Sequence, residues 1–299
     1  MSAAFGPERW AIELTHVLNA VFGPEHFPIR VADLAREYSA QRFPDDPVVR
    51  VAGDDLPGFE GALYRAKGGR KGWGIIYNDA ITSRGRINFT LAHELGHYLL
   101  HRHDHPQGFT CGDRDMTGWD SEYARLEQQA NVFAANLLMP RDDFARQIPA
   151  DARIDLDMIR HCADRYQVSL IAAALRWISH TSRRAILVVS RDGFILWARS
   201  SDAALRTGAF FRTSQGPIEI PATSLPQQTQ LLVDGRGALD HRAGVWLREP
   251  VREMTLVAEQ YDFAVSLLAL SAAPPRFAEA LDDPDAYDRL AATEPRRMW

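Results

Sequence analysis

The stretch 89–101 is Phe-Thr-Leu-Ala-His-Glu-Leu-Gly-His-Tyr-Leu-Leu-His, and it contains a His-Glu-x-x-His motif at His93, Glu94 and His97. Apolar residues recur at helical intervals around the motif, which predicts a helix over about 84–101. Residues four apart on a helix share a face, with Cβ atoms about 6 Å apart, so both imidazoles can bind one Zn²⁺. Glu94 lies about 100° around the helix from His93. This position predicts a general base beside the metal.

A zinc peptidase site needs a third protein ligand and an open fourth position. One candidate is Glu127, on a second predicted helix over 122–139, with Asn131 one turn later. This spacing suits a carboxylate that binds the metal and an amide that orients a ligand from behind. The other candidate is His103, which has the metzincin spacing, but Leu100 stands where that pattern has glycine. A continuing helix favours Glu127, because it would carry His103 about 9 Å further along the axis and onto another face.

Two segments flank the motif. His101, His103 and His105 form a histidine-rich tract at the start of an irregular loop, and we interpret all three as exposed loop residues. Before the motif, 60–66 and 72–77 are rich in aromatic and β-branched residues, and turn-forming residues separate them, which predicts a β-hairpin. An edge of this hairpin is our hypothesis for pairing with an extended substrate.

Other helices and strands follow from periodicity and turn signals. Helical patterns occur at 8–22, 31–38, 156–166 and 169–178, and strand patterns occur at 185–190, 194–197, 209–212, 231–234 and 244–248. The pattern assigns the apolar segment 255–270 neither to strand nor to helix. The third and fourth helices have the spacing of a helix-turn-helix, with apolar residues at Ala163, Val168, Ala172 and Leu175. Because Arg176 is nearly the only positive charge of its second helix, we interpret the pair as a packing element and not as a DNA reader.

Composition narrows the class of protein. The chain has 299 residues, of which 46% are hydrophobic and 24% charged, and a net charge of −5, values typical of a globular protein without the excess positive charge of a dedicated nucleic-acid binder. Its two cysteines exclude a disulfide framework and favour a reducing compartment. No leader pattern and no apolar run of bilayer length is present. We therefore expect a cytoplasmic protein with no membrane partner.

The segments 89–101 and 127–140 resemble the two signatures of the ImmA/IrrE family of bacterial zinc metallopeptidases, and the hairpin before them is similar to the family's preceding segment. The resemblance extends over about residues 8–145. It implies that His93, His97 and Glu127 bind Zn²⁺. It also implies that Glu94 is the catalytic base.

The resemblance further implies a biological role. Family members cleave a cognate helix-turn-helix repressor of the Xre type and so derepress genes for stress response, DNA repair or mobile-element transfer. In the IrrE branch, a helix-turn-helix-like segment and a GAF-like sensor domain follow the peptidase. A small-molecule or nucleic-acid activator would act through that C-terminal domain.

We therefore predict an α+β fold in four parts. A small gluzincin-like zincin domain over 1–145 is followed by a helix-turn-helix-like helical linker over 146–181 and an α/β GAF-like sensor domain over 182–273. The fourth part is a C-terminal tail over 274–299, whose composition is typical of partial disorder. An alternative from another class is a DNA- or partner-binding regulator with a vestigial metal site. Glu94 argues against this alternative, because a protein that only binds gains nothing from a base.

Overall fold

The structure is a computed structural model that describes residues 5–66, 71–111, 121–258 and 263–274. The chain divides into two units, each with its own β-sheet. Within the described residues, the first unit contains everything up to Asp143 together with Ala163–Ser169, and the second contains Phe144–Cys162 and the chain from Leu170 onward. The mixed α+β class is as predicted. The predicted tail lies outside the described residues from position 275.

No helix in the described part of the chain is long and apolar enough to cross a lipid bilayer.

Among its described residues, the first unit contains four long helices. They are α1 (Pro7–Phe22), α2 (Val31–Arg42), α3 (Arg84–His101) and α4 (Ser121–Leu138). All four were predicted, although α2 continues for four residues past the predicted end. In α1, proline occupies the first turn, where its missing N–H costs nothing, and Ala11, Leu14 and Leu18 form the buried stripe.

Helix α3 is the central helix of this unit. Its N-cap is Ser83, whose hydroxyl accepts a hydrogen bond from the backbone N–H of Arg86. Every residue from Thr90 to Leu99 is buried, because α3 packs against α2, α4 and the sheet. The polar residues of the His-Glu-x-x-His motif are therefore surrounded by protein. Buried polar groups of this kind need matching partners.

Gly96 allows α3 and α4 to approach each other closely. A Cβ at this position would lie 2.9 Å from Phe133 Cδ1 and 3.2 Å from Ala130 Cα, and both of these residues are fully buried. We expect Gly96→Val to lower the free energy of unfolding by about 1–3 kcal/mol, because neither neighbour has room to move. Urea unfolding followed by circular dichroism measures the change. Ala40→Val, at an exposed position of α2, is the matched control and should cost about 0.5 kcal/mol; equal losses in the two variants would contradict the packing argument.

The sheet of the first unit has four strands in the order β1-β3-β2-β4. They are β1 (Val48–Asp54), β2 (Gly61–Arg65), β3 (Trp73–Asn78) and β4 (Gly108–Cys111). The predicted hairpin of β2 and β3 is confirmed. The sequence patterns missed β1, which pairs in parallel with β3, and β4, which pairs antiparallel with β2 inside the predicted irregular loop.

The position of β4 corrects the hypothesis of substrate pairing with the hairpin. Strand β2 lies between β3 and β4, and β3 lies between β1 and β2. Both predicted hairpin strands are thus interior strands whose hydrogen-bonding sides are taken up by neighbours. Pairing of an extended segment with an open edge of that hairpin is therefore wrong.

Three further helices lie between α4 and the second sheet along the chain: α5 (Arg141–Gln147), α6 (Leu156–Tyr166) and α7 (Leu170–His180). The patterns predicted α6 and α7 and missed the shorter α5. Of the four apolar residues singled out for the helix-turn-helix spacing, Ala163 and Val168 are buried, whereas Ala172 and Leu175 are only partly buried. The more deeply buried face of α7 is formed by Ala173, Ala174, Trp177 and Ile178.

The second sheet has six antiparallel strands in the order β7-β6-β5-β10-β9-β8. They are β5 (Ala185–Arg191), β6 (Phe194–Ser200), β7 (Ile218–Glu219), β8 (Arg236–His241), β9 (Val251–Ala258) and β10 (Phe263–Leu270), and the short helix α8 (Asp202–Leu205) follows β6. The predicted β5–β6 hairpin is confirmed. The segment that the pattern could not assign forms the second half of β9 and all of β10.

Three predicted strands of the second unit are wrong. The segments 209–212 and 244–248 form no strand, and 231–234 contains the end of a 3₁₀ turn and a single bridge from Val233 to Arg236. Apolar residues suggested these strands, but Leu231 and Val233 are exposed. An Asp-Gly turn at Asp234 follows them, and the true strand, β8, begins after it.

A buried carboxylate organises the core of the second unit. Glu253 on β9 is fully buried and accepts hydrogen bonds from His241 Nε2 at 2.7 Å, Trp246 Nε1 at 3.1 Å and Thr255 Oγ1 at 2.8 Å. The backbone N–H of Leu225 also donates to it. These donors replace the water that the carboxylate loses on burial.

Candidate metal centre

His93, His97 and Glu127 meet where α3 faces α4. Their candidate ligand atoms all lie within 4.8 Å of one another. The two Nε2 atoms are 3.0 Å apart, and the Glu127 carboxylate lies 3.1 Å from His93 Nε2 and 3.2 Å from His97 Nε2. The helical spacing of the two histidines and the close contact of the two helices produce this convergence. Two imidazoles and one carboxylate form a donor set that can hold a divalent transition metal.

Asn131 lies behind His93, one turn of α4 beyond Glu127. Its Oδ1 is 2.9 Å from His93 Nδ1. An amide oxygen can only accept a hydrogen bond, so Nδ1 of His93 carries the hydrogen. In the neutral ring the lone pair is then on Nε2, which faces His97 and Glu127.

His101 is not an exposed loop residue, and that prediction is wrong. It occupies the last turn of α3 and is 4% exposed. Its Nδ1 lies 3.0 Å from His97 Nδ1, and its Nε2 lies 2.9 Å from Gln129 Oε1 on α4. The sequence contained a signal for this, because His93, His97 and His101 repeat at four-residue intervals and must share a helix face.

His103, the rival candidate for third ligand, lies elsewhere. Helix α3 ends at His101, and His103 is exposed in the turn that follows. Among the described residues, the cluster of possible metal donors contains Glu127 and does not contain His103.

Burial and hydrogen bonding shift the pKa of each donor. Burial lowers the pKa of His97 to about 4, against the opposing effect of Glu127. Burial also lowers the pKa of His93, but its hydrogen bond to Glu127 and the nearby carboxylates outweigh this and leave that pKa raised. Burial would raise the pKa of Glu127, yet its close contacts with the His93 and His97 imidazoles hold it well below its usual range. An ionised carboxylate beside a neutral imidazole is the state in which these groups bind metals.

Glu94 lies beside the cluster and is not one of its three donors. It is fully buried, on the side of α3 that faces β2. A Cβ on Gly61 of β2 would lie 3.0 Å from Glu94 Oε1 and 2.5 Å from Thr90 Cγ2. Glycine at this strand position therefore provides the space that the carboxylate occupies. A carboxylate held next to a metal-binding cluster can accept and return a proton.

Comparison with known proteins bears on the family and the fold of this chain. Residues 45–177 match the Peptidase M78 family model, described as the IrrE N-terminal-like domain. No curated protein matches the chain. A solved structure of a Mycobacterium tuberculosis transcriptional regulator is similar to this one with a TM-score of 0.51 and 15% sequence identity, covering 86% of this chain and 76% of that one. At this identity the similarity concerns the fold alone. Residues 45–177 are therefore similar to the IrrE N-terminal-like domain of the Peptidase M78 family, in agreement with the resemblance of the motifs.

Proposed function

We propose that this protein is a zinc-dependent endopeptidase in which His93, His97 and Glu127 hold the metal. The observation that supports this most directly is the separation of the three donors. A tetrahedral Zn²⁺ site with bonds of about 2.0–2.2 Å places its donor atoms about 3.3–3.6 Å apart. The donor separations of 3.0–3.2 Å are close to that range.

The same cluster has an accessible side. Glu127 keeps a quarter of its side-chain surface exposed, and Asn131 is exposed, whereas His97 and Glu94 are fully buried. Water and a substrate carbonyl can thus approach from the side of α4. The buried side of the site excludes solvent, which strengthens the electrostatic interactions of the groups there.

The proposed reaction is hydrolysis of a peptide bond. When bound, Zn²⁺ supplies Lewis acidity to the scissile carbonyl and to the attacking water. Glu94 takes one proton from that water at a carboxylate oxygen, and the water oxygen forms the new bond to the carbonyl carbon. Glu94 then gives the proton to the leaving amine as the C–N bond breaks, so the base is regenerated.

The proposed substrate is a cognate helix-turn-helix repressor of the Xre type. Its cleavage would derepress genes for stress response, DNA repair or mobile-element transfer. Two findings support this direction: the IrrE-like family of residues 45–177, and the fold similarity to a protein described as a transcriptional regulator. We place the reaction in the cytoplasm, where a buried cysteine such as Cys162 stays reduced.

The finer domain assignments are part of the same proposal. The peptidase domain is gluzincin-like, because its third ligand is a glutamate from a second helix. Helices α6 and α7 form a helix-turn-helix-like linker. The second unit, with its own six-stranded sheet and buried core, acts as a GAF-like sensor that receives a small-molecule or nucleic-acid activator.

The alternative of a DNA-binding regulator with a vestigial metal site has less support. Arg165 in α6 forms ion pairs with Asp143 and Glu25. Arg176 in α7 is only 9% exposed. These two arginines are therefore poorly placed to contact phosphates, and a duplex binder needs a clustered basic face.

The test is proteolysis with purified components. Zinc-loaded full-length protein is incubated with each Xre-type regulator encoded near its gene, and fragments are identified by mass spectrometry. We expect one regulator to be cut at a single site, with activity lost on chelation and restored by Zn²⁺. Zinc-loaded protein that leaves every such regulator intact, with or without candidate activators, would contradict the proposed substrate class.

A further inference from the structure

We infer that His101 and Gln129 are positioning residues that select one tautomer of His97, so that its Nε2 lone pair points toward His93 and Glu127. The inference rests on the proposed function in one respect, since it explains how the proposed metal site is prepared. It concerns a pair of residues outside the three donors and the base.

The contacts run from His97 to His101 and from His101 to Gln129. The direction of each hydrogen bond follows from Gln129, the acceptor at the end of this series. Gln129 Oε1 has no hydrogen to give, so His101 Nε2 donates across the 2.9 Å contact. With one hydrogen on Nε2, the neutral His101 ring offers its lone pair at Nδ1. His97 Nδ1, 3.0 Å away, must then be the donor. The hydrogen of His97 is thus fixed on Nδ1, and its lone pair is fixed on Nε2.

Both rings are shielded from bulk solvent. His97 is fully buried, and His101 is 4% exposed. The ring of Phe109, on β4, stacks on the His97 ring with centroids 4.3 Å apart and a tilt of 23°, and it also packs against His101 at 5.7 Å. Loss of the His101 acceptor removes the hydrogen bond that favours the Nδ1–H tautomer of His97. The other tautomer would become competitive.

Amide oxygens from helix α4 select the tautomer of both imidazoles. Asn131 gives its amide oxygen directly to His93, and Gln129 gives its amide oxygen to His97 through the intervening His101 ring. Glu127 is on the same helix. One short segment of α4 therefore supplies an anionic donor and the two amide oxygens that turn both Nε2 lone pairs toward it.

The test compares His101→Phe with His101→Asn in the full-length chain. Phenylalanine keeps the ring and removes the acceptor, whereas the asparagine Oδ1 can replace the Nδ1 acceptor. In metal-free, ¹⁵N-histidine-labelled protein, we expect the His97 ring nitrogens to report the Nδ1–H tautomer in wild type and His101→Asn, and a mixed or reversed tautomer in His101→Phe. By chelator competition, zinc affinity should fall about 10–100-fold in His101→Phe and recover to within a few-fold in His101→Asn.

A second variant keeps the test decisive if His101→Phe does not fold. Gln129→Leu removes the terminal acceptor from the partly buried face of α4 and should weaken zinc binding about tenfold, while Gln129→Glu keeps an acceptor oxygen and should not. A wild-type tautomer and unchanged affinity in the folded acceptor-free variants would overturn the inference. The metal-free tautomer measurement needs no peptidase activity, so failure of the substrate test and failure of this inference are distinguishable.

Discussion

Glu94→Gln is expected to abolish peptide cleavage while leaving zinc in place. Glutamine has nearly the same shape as glutamate, but its amide cannot take a proton from water at the pH of the reaction. Loss of a general base typically costs about 10²–10⁴-fold in rate. Because Glu94 lies outside the cluster of three donors, the zinc content of the variant should equal that of wild type. The measurements are kcat/KM for cleavage of the regulator and zinc per chain by elemental analysis.

The matched control is Glu122→Gln, which makes the same chemical change at an exposed position in the first turn of α4. It should cleave at the wild-type rate. A Glu94→Gln protein that is folded, zinc-loaded and within about threefold of wild-type activity would exclude Glu94 as the base. A folded variant that had lost its zinc would instead show that Glu94 helps to hold the metal.

The part of the site that depends on helical geometry was predictable from sequence. The repeat of apolar residues defined α3 and α4, and the four-residue interval placed His93 and His97 on one face. The comparison of Glu127 with His103 also rested on helix continuation, and the structure brings Glu127 to the two histidines. Local periodicity determines which face of its helix each of these side chains occupies. These faces could therefore be predicted without knowledge of contacts between distant parts of the chain.

The part that depends on long-range pairing was not predictable in the same way. Strand β1 mixes Arg50, Gly53 and Asp54 with valines, and its parallel partner β3 is separated from it in sequence by the whole of β2. Strand β4 is four residues long, and its alignment with β2 places Phe109 over His97. The burial of His101 follows from that packing, which explains why a histidine-rich tract suggested exposure.

The failed strands of the second unit show a related limit. An apolar run indicates a strand only when the fold buries it, and the run before Asp234 remains exposed at Leu231 and Val233. The buried carboxylate of Glu253 is the converse case. The residues next to Glu253 in sequence do not indicate that hydrogen-bond donors from three separate segments will surround its carboxylate.

The second large expected effect is a loss of zinc affinity when the third ligand is changed. Glu127→Gln should lower zinc affinity by at least about 100-fold, more than is typical of a residue that acts only behind a ligand. The substitution removes the negative charge that balances the metal and replaces a carboxylate oxygen with a weaker neutral donor. Zinc per chain after dialysis and chelator competition measure the loss. His103→Ala should bind zinc as wild type does, because His103 is exposed and outside the cluster.

Glu127→Gln and His103→Ala together discriminate between two geometries of the metal site. If Glu127 is the ligand, the metal is held between α3 and α4, and anything that separates these helices, such as Gly96→Val, should weaken zinc binding as well. If zinc instead survives Glu127→Gln and is lost in His103→Ala, the third donor comes from the turn after α3, and α4 contributes only Asn131 and Gln129 behind the histidines. Measuring zinc affinity in Gly96→Val tests whether zinc binding depends on the α3–α4 contact, because that substitution changes the helix contact without touching any donor atom.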